Sequence, residues 1–236
     1  MRKFFLFFYV LFLIGCGISV VEAEKRGLII PAYFYNQSLW DKVANANIEE
    51  IVIVNPANGP GSLVDENYVN FIEDLVNNYK KPIGYVYTKW GDRDIELVKD
   101  DIDTWLKLYP EIQGFFIDET SNSATKIDYY KDIYNYIKSK GKYFIVLNPG
   151  TMPNTAYFSI ADNIVVYEGD VKNLPNEACK SYADKSSIIV YGADEAKMRE
   201  IVSIKHCRYM YITDDNDTNP YDSLPSYFDE EIDVLK

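Results

Sequence analysis

The sequence predicts an α/β protein folded as a single (β/α)8 barrel of the TIM type over residues 27–236, and three observations carry that prediction. Apolar runs of strand length alternate eight times with amphipathic stretches of helix length, and no low-complexity or linker-like run separates them. The runs are near-continuous in Val, Ile, Tyr and Phe, as parallel strands are when helical crossovers cover both faces. The first strand-to-helix turn reads YFYNQS, without the glycines by which an open doubly wound sheet cradles phosphate. Eight such parallel units close into a barrel.

Taken in order, the first strand is GLIIPAYF, ending near Tyr33 and Tyr35, with a short helix over 39–46 behind it. The second, EIVIVNP, stops at Asn55-Pro56. A glycine-rich turn, ANGPGS, then leads to Asp65, an N-cap for a helix carrying Val69, Ile72, Leu75 and Val76. The third strand, PIGYVYT, ends at Tyr87-Thr88. A loop with Trp90 and Arg93 precedes a helix whose Ile95, Val98, Ile102, Trp105 and Leu106 recur at three and four, so one face is buried.

The fourth strand, IQGFFIDET over 112–120, is the stretch around which the rest is organised. It follows Pro110 and delivers two adjacent carboxylates, Asp118 and Glu119, at its carboxyl end, where α/β proteins keep their chemistry. Side-chain alternation puts Asp118 on the face of Phe116 and Gly114, with Glu119 at the lip. A helix over 127–140 follows, closed by Gly141. The fifth strand, KYFIVLNPG, ends at Asn148-Pro149-Gly150, and the sixth, NIVVYEG, places Glu168 where the fourth places Asp118. A helix holding Cys179 is expected before the seventh strand, SSIIVYG. A helix over 194–204 precedes the eighth, RYMYITDD, and a last helix runs over 227–235; with a crossover also expected between strands five and six, eight helices alternate with the strands.

The amino terminus has a basic start, MRK, a long apolar core and a VEA cleavage pattern before Glu24, so residues 1–23 read as a secretory signal or a membrane anchor. Left uncleaved, the run from Phe4 to Val21 is long enough for one membrane span. The LIGC ending at Cys16 has the form of a lipoprotein signal with that cysteine as lipid acceptor, although apolar residues follow it. The expected location is therefore secreted or cell-surface. Cleavage after Ala23 removes Arg2, Lys3 and Glu22 from a chain of 24 basic and 36 acidic residues, which takes the net charge from −12 to −13. Such a field repels nucleic acid and anionic membranes and suits a cationic partner.

Of three cysteines, Cys179 and Cys207 remain after the leader, enough for one disulfide in an oxidising compartment. Two thiols and the single histidine, His206, are too few for a zinc, haem or iron–sulfur site, so no metal or other cofactor is expected. The loops after strands seven and eight, GADE and TDDNDT, are acidic where a barrel's phosphate site needs glycines and positive charge. Phosphorylated substrates are thereby disfavoured.

A closed barrel gathers its strand ends around one mouth, here Tyr33, Tyr35, Asn55, Tyr87, Asp118, Glu119, Asn148, Glu168, Tyr191, Asp214 and Asp215. Carboxylates, amides and tyrosines without histidine or thiol make a carbohydrate site, since amides and acids bond sugar hydroxyls and aromatic faces cover the ring. The 21 tyrosines of the chain fit that use. Glycosidic cleavage needs one acid to protonate the leaving oxygen and one carboxylate to attack carbon or activate water. Asp118 and Glu168 supply the pair from strands four and six, whose ends lie on the order of 10 Å apart at roughly 4.8 Å per strand step.

The series PAYFY, VIVNPANGPG, IGYVYT, GFFIDE, VLNPGT, VVYEG and YITDD, in that order along nearly all of the chain after the leader, resembles spherulation-specific family 4, the spherulin-like cell-surface proteins. The resemblance implies a (β/α)8 glycoside hydrolase similar to family 135, acting inside galactosaminogalactan at N-acetylgalactosamine linkages. It carries the family's acidic residues onto Asp118, Glu119 and Glu168.

Three readings follow. The first is an exported endo-acting hydrolase of amino-sugar polysaccharide, with Asp118 and Glu168 as acid/base and nucleophile in undecided order and Glu119 supporting. Tyr33, Tyr35, Asn55, Tyr87, Asn148, Tyr191 and Asp214 would bind the substrate. The second is a surface protein that binds glycan without cutting it, and the third a divalent-cation site built from Asp118, Glu119, Asp214 and Asp215.

Overall fold

The computed structural model describes residues 26–216 and 218–236. The segment read as a signal or anchor, including Cys16, lies outside them. Eight strands form a closed, all-parallel barrel: β1 (Gly27–Ala32), β2 (Glu50–Val54), β3 (Lys81–Tyr87), β4 (Gly114–Asp118), β5 (Phe144–Leu147), β6 (Asn163–Asp170), β7 (Ser186–Tyr191) and β8 (Tyr209–Ile212). Each pairs with the next, and β8 returns to β1 through Gly27 opposite Tyr209 and Leu28 opposite Met210. Almost every strand residue is buried, because side chains on one face fill the barrel and those on the other meet the helices.

The helices are α1 (Gln37–Ala44), α2 (Glu66–Asn77), α3 (Ile95–Leu108), α4 (Ile127–Lys140), α5 (Glu195–Ile204) and α6 (Phe228–Leu235). Their starts are written locally. Asp65 accepts the Asn67 N–H ahead of α2, Asp94 the Glu96 N–H ahead of α3, and Asp194 the Lys197 N–H ahead of α5. Each satisfies a donor that the first helical turn leaves without a partner. The stripe expected on α3 is the buried one, through Val98, Ile102 and Trp105. Gly84 in β3 admits it, because a Cβ there would stand 2.6 Å from the Trp105 ring, whose Nε1 donates to the Tyr85 carbonyl at 2.9 Å. The outward turn of position 84 leaves Ile83 and Tyr85 facing the barrel interior.

Two crossovers differ from the sequence expectation, leaving six α-helices among the described residues. Between β5 and β6 there is only a 3-10 turn, Thr155–Ser159. Between β6 and β7, where a helix holding Cys179 was expected, the chain runs through turns flanked by 3-10 pieces, Val171–Asn173 and Ala183–Lys185. In that stretch, LPNEACKSYADK, Cys179 and Tyr182 take left-handed backbone at φ 62° and 56°, which an α-helix does not admit. It is held by the Cys179–Cys207 disulfide and by Lys205, whose ammonium donates to the carbonyls of Pro175 and Asn176. β1 also ends at Ala32, two residues short of the run read as strand, and the Tyr33 N–H turns back to the Pro31 carbonyl.

Candidate active site

β4, β5 and β6 are consecutive in the barrel, and their carboxyl ends bring Asp118, Asn148 and Glu168 side by side. The amide nitrogen of Asn148 donates to Asp118 Oδ1 at 2.7 Å and to Glu168 Oε2 at 2.6 Å. Those two oxygens are therefore no further apart than the two bonds end to end, about 5.3 Å. The strand ends start at roughly twice that separation, so the inward lean of both acids closes the gap.

The orientation of the Asn148 amide follows from its surroundings. Gly150, at φ 61°, turns the chain so that its N–H donates to Asn148 Oδ1 at 3.0 Å, and its carbonyl accepts the Glu168 N–H at 3.1 Å. With its oxygen engaged by a donor, the amide presents its NH2 to the carboxylates. The Asn148 backbone is pinned to β4 on both sides, donating to the Ile117 carbonyl and accepting the Thr120 N–H, each at 2.9 Å.

The outer oxygens are met by two tyrosines. Tyr85 donates to Asp118 Oδ2 at 2.7 Å and Tyr221 to Glu168 Oε1 at 2.7 Å. Tyr33 stands between these rings, edge-on to Tyr85 at 6.0 Å and to Tyr221 at 5.9 Å, and Phe116 lies stacked beneath Tyr85. Each of the four carboxyl oxygens thus accepts a bond from an uncharged donor.

That environment sets the acidity of the pair. Burial pushes the Asp118 carboxyl up, while the bonds from Tyr85, the Glu119 backbone and Asn148 pull against it. Glu168 is also pushed up by burial, and further by the negative charge of Asp118, with Tyr221 and Asn148 opposing. Both side chains keep some surface open at the mouth although their carboxyl ends are ringed by protein. Two acids within about 5.3 Å do not readily ionise together, so the pair holds one proton above the usual carboxylate range. The hydroxyls of Tyr33, Tyr85 and Tyr221 are pushed up, first by burial and then by the acids, and those of Tyr85 and Tyr221 serve as donors.

The remaining expected residues divide. Tyr33 joins the cluster, and Tyr191 lies close enough to Tyr221 to raise its hydroxyl. Tyr87 is in register with Asp118 and carries the Arg93 guanidinium 4.1 Å above its ring. Glu119 takes no part in the Asn148 bridge. Its backbone is left-handed at φ 50°, its carbonyl accepts the Trp90 N–H and the Thr88 hydroxyl, and its charge reaches Tyr85.

Three residues expected to bind substrate are engaged elsewhere. Tyr35 sends its hydroxyl to Asp65 at the start of α2 and packs its ring on Trp40 and Tyr68. Asn55 Oδ1 accepts the Gly59 N–H at 2.8 Å and so shapes the ANGPGS turn. Asp214 accepts from the backbone and hydroxyl of Ser226, which fixes the turn into α6. With Asp214 turned to Ser226 and Asp118 to Tyr85 and Asn148, the cation site of the third reading is not assembled. Among the described residues no group of three or more His, Cys, Asp or Glu could hold a metal ion.

Two partners of the acids were missed in the sequence. Tyr85 had a signal, since it precedes Tyr87 by two in a strand and shares its face. Tyr221 had none, because it stands in the β8–α6 loop, where no periodicity tells which way a side chain points.

Comparison with known proteins agrees with the barrel. The model of spherulation-specific family 4 matches residues 27–235. Spherulin-4 of Physarum polycephalum is 36% identical over 91% of this chain and 71% of its own length. Among solved structures, Aspergillus clavatus Sph3 in complex with GalNAc superposes with a TM-score of 0.80 at 24% identity, covering 90% of this chain and 98% of that one. A chitinase from Rhizomucor miehei superposes with a TM-score of 0.57 at 11% identity, covering 89% and 99%. At those identities the two superpositions establish the barrel and nothing finer.

Proposed function

The chain belongs to spherulation-specific family 4, and we propose that it is an exported glycoside hydrolase that cuts inside amino-sugar polysaccharide of the N-acetylgalactosamine and galactosamine type. The observation that carries the proposal is the Asn148 bridge between Asp118 and Glu168. Separations of about 5–5.5 Å between carboxyl groups belong to retaining glycosidases, and the longer ones of inverting enzymes leave room for a water. An upper bound of about 5.3 Å between the bridged oxygens supports the retaining course.

The roles follow from the electrostatics. Glu168, which holds its proton against the charge of Asp118, donates it to the glycosidic oxygen as the bond to the anomeric carbon breaks. Asp118, ionised and steadied by Tyr85, Asn148 and the Glu119 N–H, attacks that carbon and forms a glycosyl ester. Glu168, now a carboxylate, takes a proton from water, which hydrolyses the ester and frees Asp118. Tyr33 and Tyr191 line the approach with aromatic faces and hydroxyls suited to a sugar.

The amino-sugar assignment is supported by family membership and by the GalNAc held in the Sph3 crystal. A partly deacetylated polymer is cationic, which suits the net charge of −12. The leader sequence and the Cys179–Cys207 disulfide support an oxidising compartment outside the cytoplasm, with lipid at Cys16 or an uncleaved segment as the means of any membrane attachment.

Incubating the mature protein with galactosamine-containing polymers and counting new reducing ends tests the reading. Asp118→Asn and Glu168→Gln each lower the rate by roughly 10³-fold. Release that persists in both variants overturns the assignment. Saturable binding with no product from the unmutated protein marks a glycan-binding surface protein instead.

A further inference from the structure

Of the three tryptophans, Trp40 and Trp105 are 2% and 0% exposed, and their ring nitrogens donate to the carbonyls of Phe34 and Tyr85. Trp90 is 59% exposed. Most of it lies in solvent, although tryptophan is highly buried on average. It sits on the β3–α3 loop, at the end of the barrel that carries the acids, and its N–H donates to the carbonyl of Glu119, next to Asp118, at 2.7 Å.

The backbone that presents this ring is strained and firmly held. Lys89 and Trp90 are left-handed at φ 50° and 52°, followed by Gly91 at φ 84°. A bulky side chain rarely adopts that conformation, and two in succession persist only where the surroundings impose them. Here the surroundings are the β4 end and the loop after it. Thr88 Oγ1 donates to the Asp118 and Glu119 carbonyls at 2.9 Å, and Lys126 bonds the Gly91 carbonyl and Asp92. Arg93 is fixed by the Tyr87 carbonyl and Asp101, with Tyr129 donating to the Arg93 carbonyl. An exposed ring on a strained loop held by that many bonds presents a preset aromatic face, and such a surface is what ring-stacking recognition needs.

We propose that Trp90 is the stacking platform of a glycan subsite on the rim, taking the apolar face of a pyranose ring in an extended chain whose neighbouring unit lies between Asp118 and Glu168. The assignment rests on the glycosidase reading above and adds to it a preference for polymer over single sugars. Stacking on an aromatic face is worth enough to change affinity by about three- to tenfold.

The test uses protein carrying Asp118→Asn, so that ligand is not consumed, titrated calorimetrically with N-acetylgalactosamine and with short and long oligosaccharides of it. Adding Trp90→Ala weakens the long oligosaccharides about three- to tenfold and leaves the monosaccharide unchanged, while Trp90→Phe restores most of the loss. Trp90→Gly, which accepts the left-handed backbone, loses the same binding and melts no lower than the parent. Unchanged binding of long oligosaccharides by Trp90→Ala overturns the subsite while leaving the glycosidase reading intact. So does a lower melting temperature with unchanged binding in Trp90→Gly, which marks the ring as packing. If the parent binds no oligosaccharide of any length, the glycosidase reading fails and the subsite fails with it.

Discussion

The single amide nitrogen of Asn148 bonds Asp118 at 2.7 Å and Glu168 at 2.6 Å, so one neutral donor holds two acids together that would otherwise repel each other. It lies on the strand between theirs, and its own oxygen is turned away by the Gly150 N–H. The acids are thereby kept close enough to differ in protonation, and each is steadied from outside by its own tyrosine.

Asn148→Ala removes a bond that lowers the pKa of both acids, so both rise. The acid limb of the pH–rate profile, which reports ionisation of Asp118, and the alkaline limb, which reports proton loss from Glu168, both move to higher pH. The maximal rate falls by about 10²-fold as the carboxyl spacing loosens. A profile that keeps its limbs while losing height would mean that the amide does not touch the ionising groups.

The two tyrosines separate the roles. Tyr85→Phe takes a stabilising donor from ionised Asp118 and raises the acid limb alone, while Tyr221→Phe does the same for Glu168 and raises the alkaline limb alone. Each variant keeps the ring and costs roughly tenfold in rate. If the two shifts appear on the opposite limbs, Asp118 is the acid and Glu168 the nucleophile.

Far from the mouth, Glu50 opens β2 with its carboxyl buried and pushed up to about 8 by that burial. Lys80, 3.5 Å away, gives its hydrogen bonds to the carbonyls of Ala46 and Ile48 instead. Because the folded value lies above the unfolded one of 4.5, this group's contribution is fully present below pH 4.5. It declines by roughly 1.4 kcal/mol per pH unit as pH rises towards about 8, and levels off beyond. Urea midpoints of the parent and Glu50→Gln, compared from pH 4 to 9, should diverge in favour of the variant as pH rises. Parallel curves would show that Glu50 is ionised in the folded protein.

The outline of the site was legible where a residue's placement depends on its own strand. Asp118 and Asn148 end apolar runs, and a parallel barrel must bring those ends to one rim, while in β6 a bulge between Val165 and Tyr167 shifts the alternation ahead of Glu168. Tyr35, Asn55 and Asp214 also stand at or just beyond strand ends, yet each bonds a nearby turn or helix start. Competition of that kind is settled in the loops, by contacts that no strand period encodes. The second crossover around β6 differs for a similar reason, since a disulfide, lysine bonds to backbone carbonyls and left-handed Cys179 and Tyr182 shape it where apolar spacing suggested a helix.

By itself, the sequence determined the barrel and put Asp118, Asn148 and Glu168 at its rim, because strand and helix periods and strand ends are local properties that parallel closure translates into position. Tertiary structure alone decided that Asn148 bridges the acids, that Tyr85 and Tyr221 cap them and that Trp90 stands free on a strained loop. Each of these depends on how far side chains from separate strands and loops lean towards one another, a distance set by closure of the whole sheet and by no single segment of the chain.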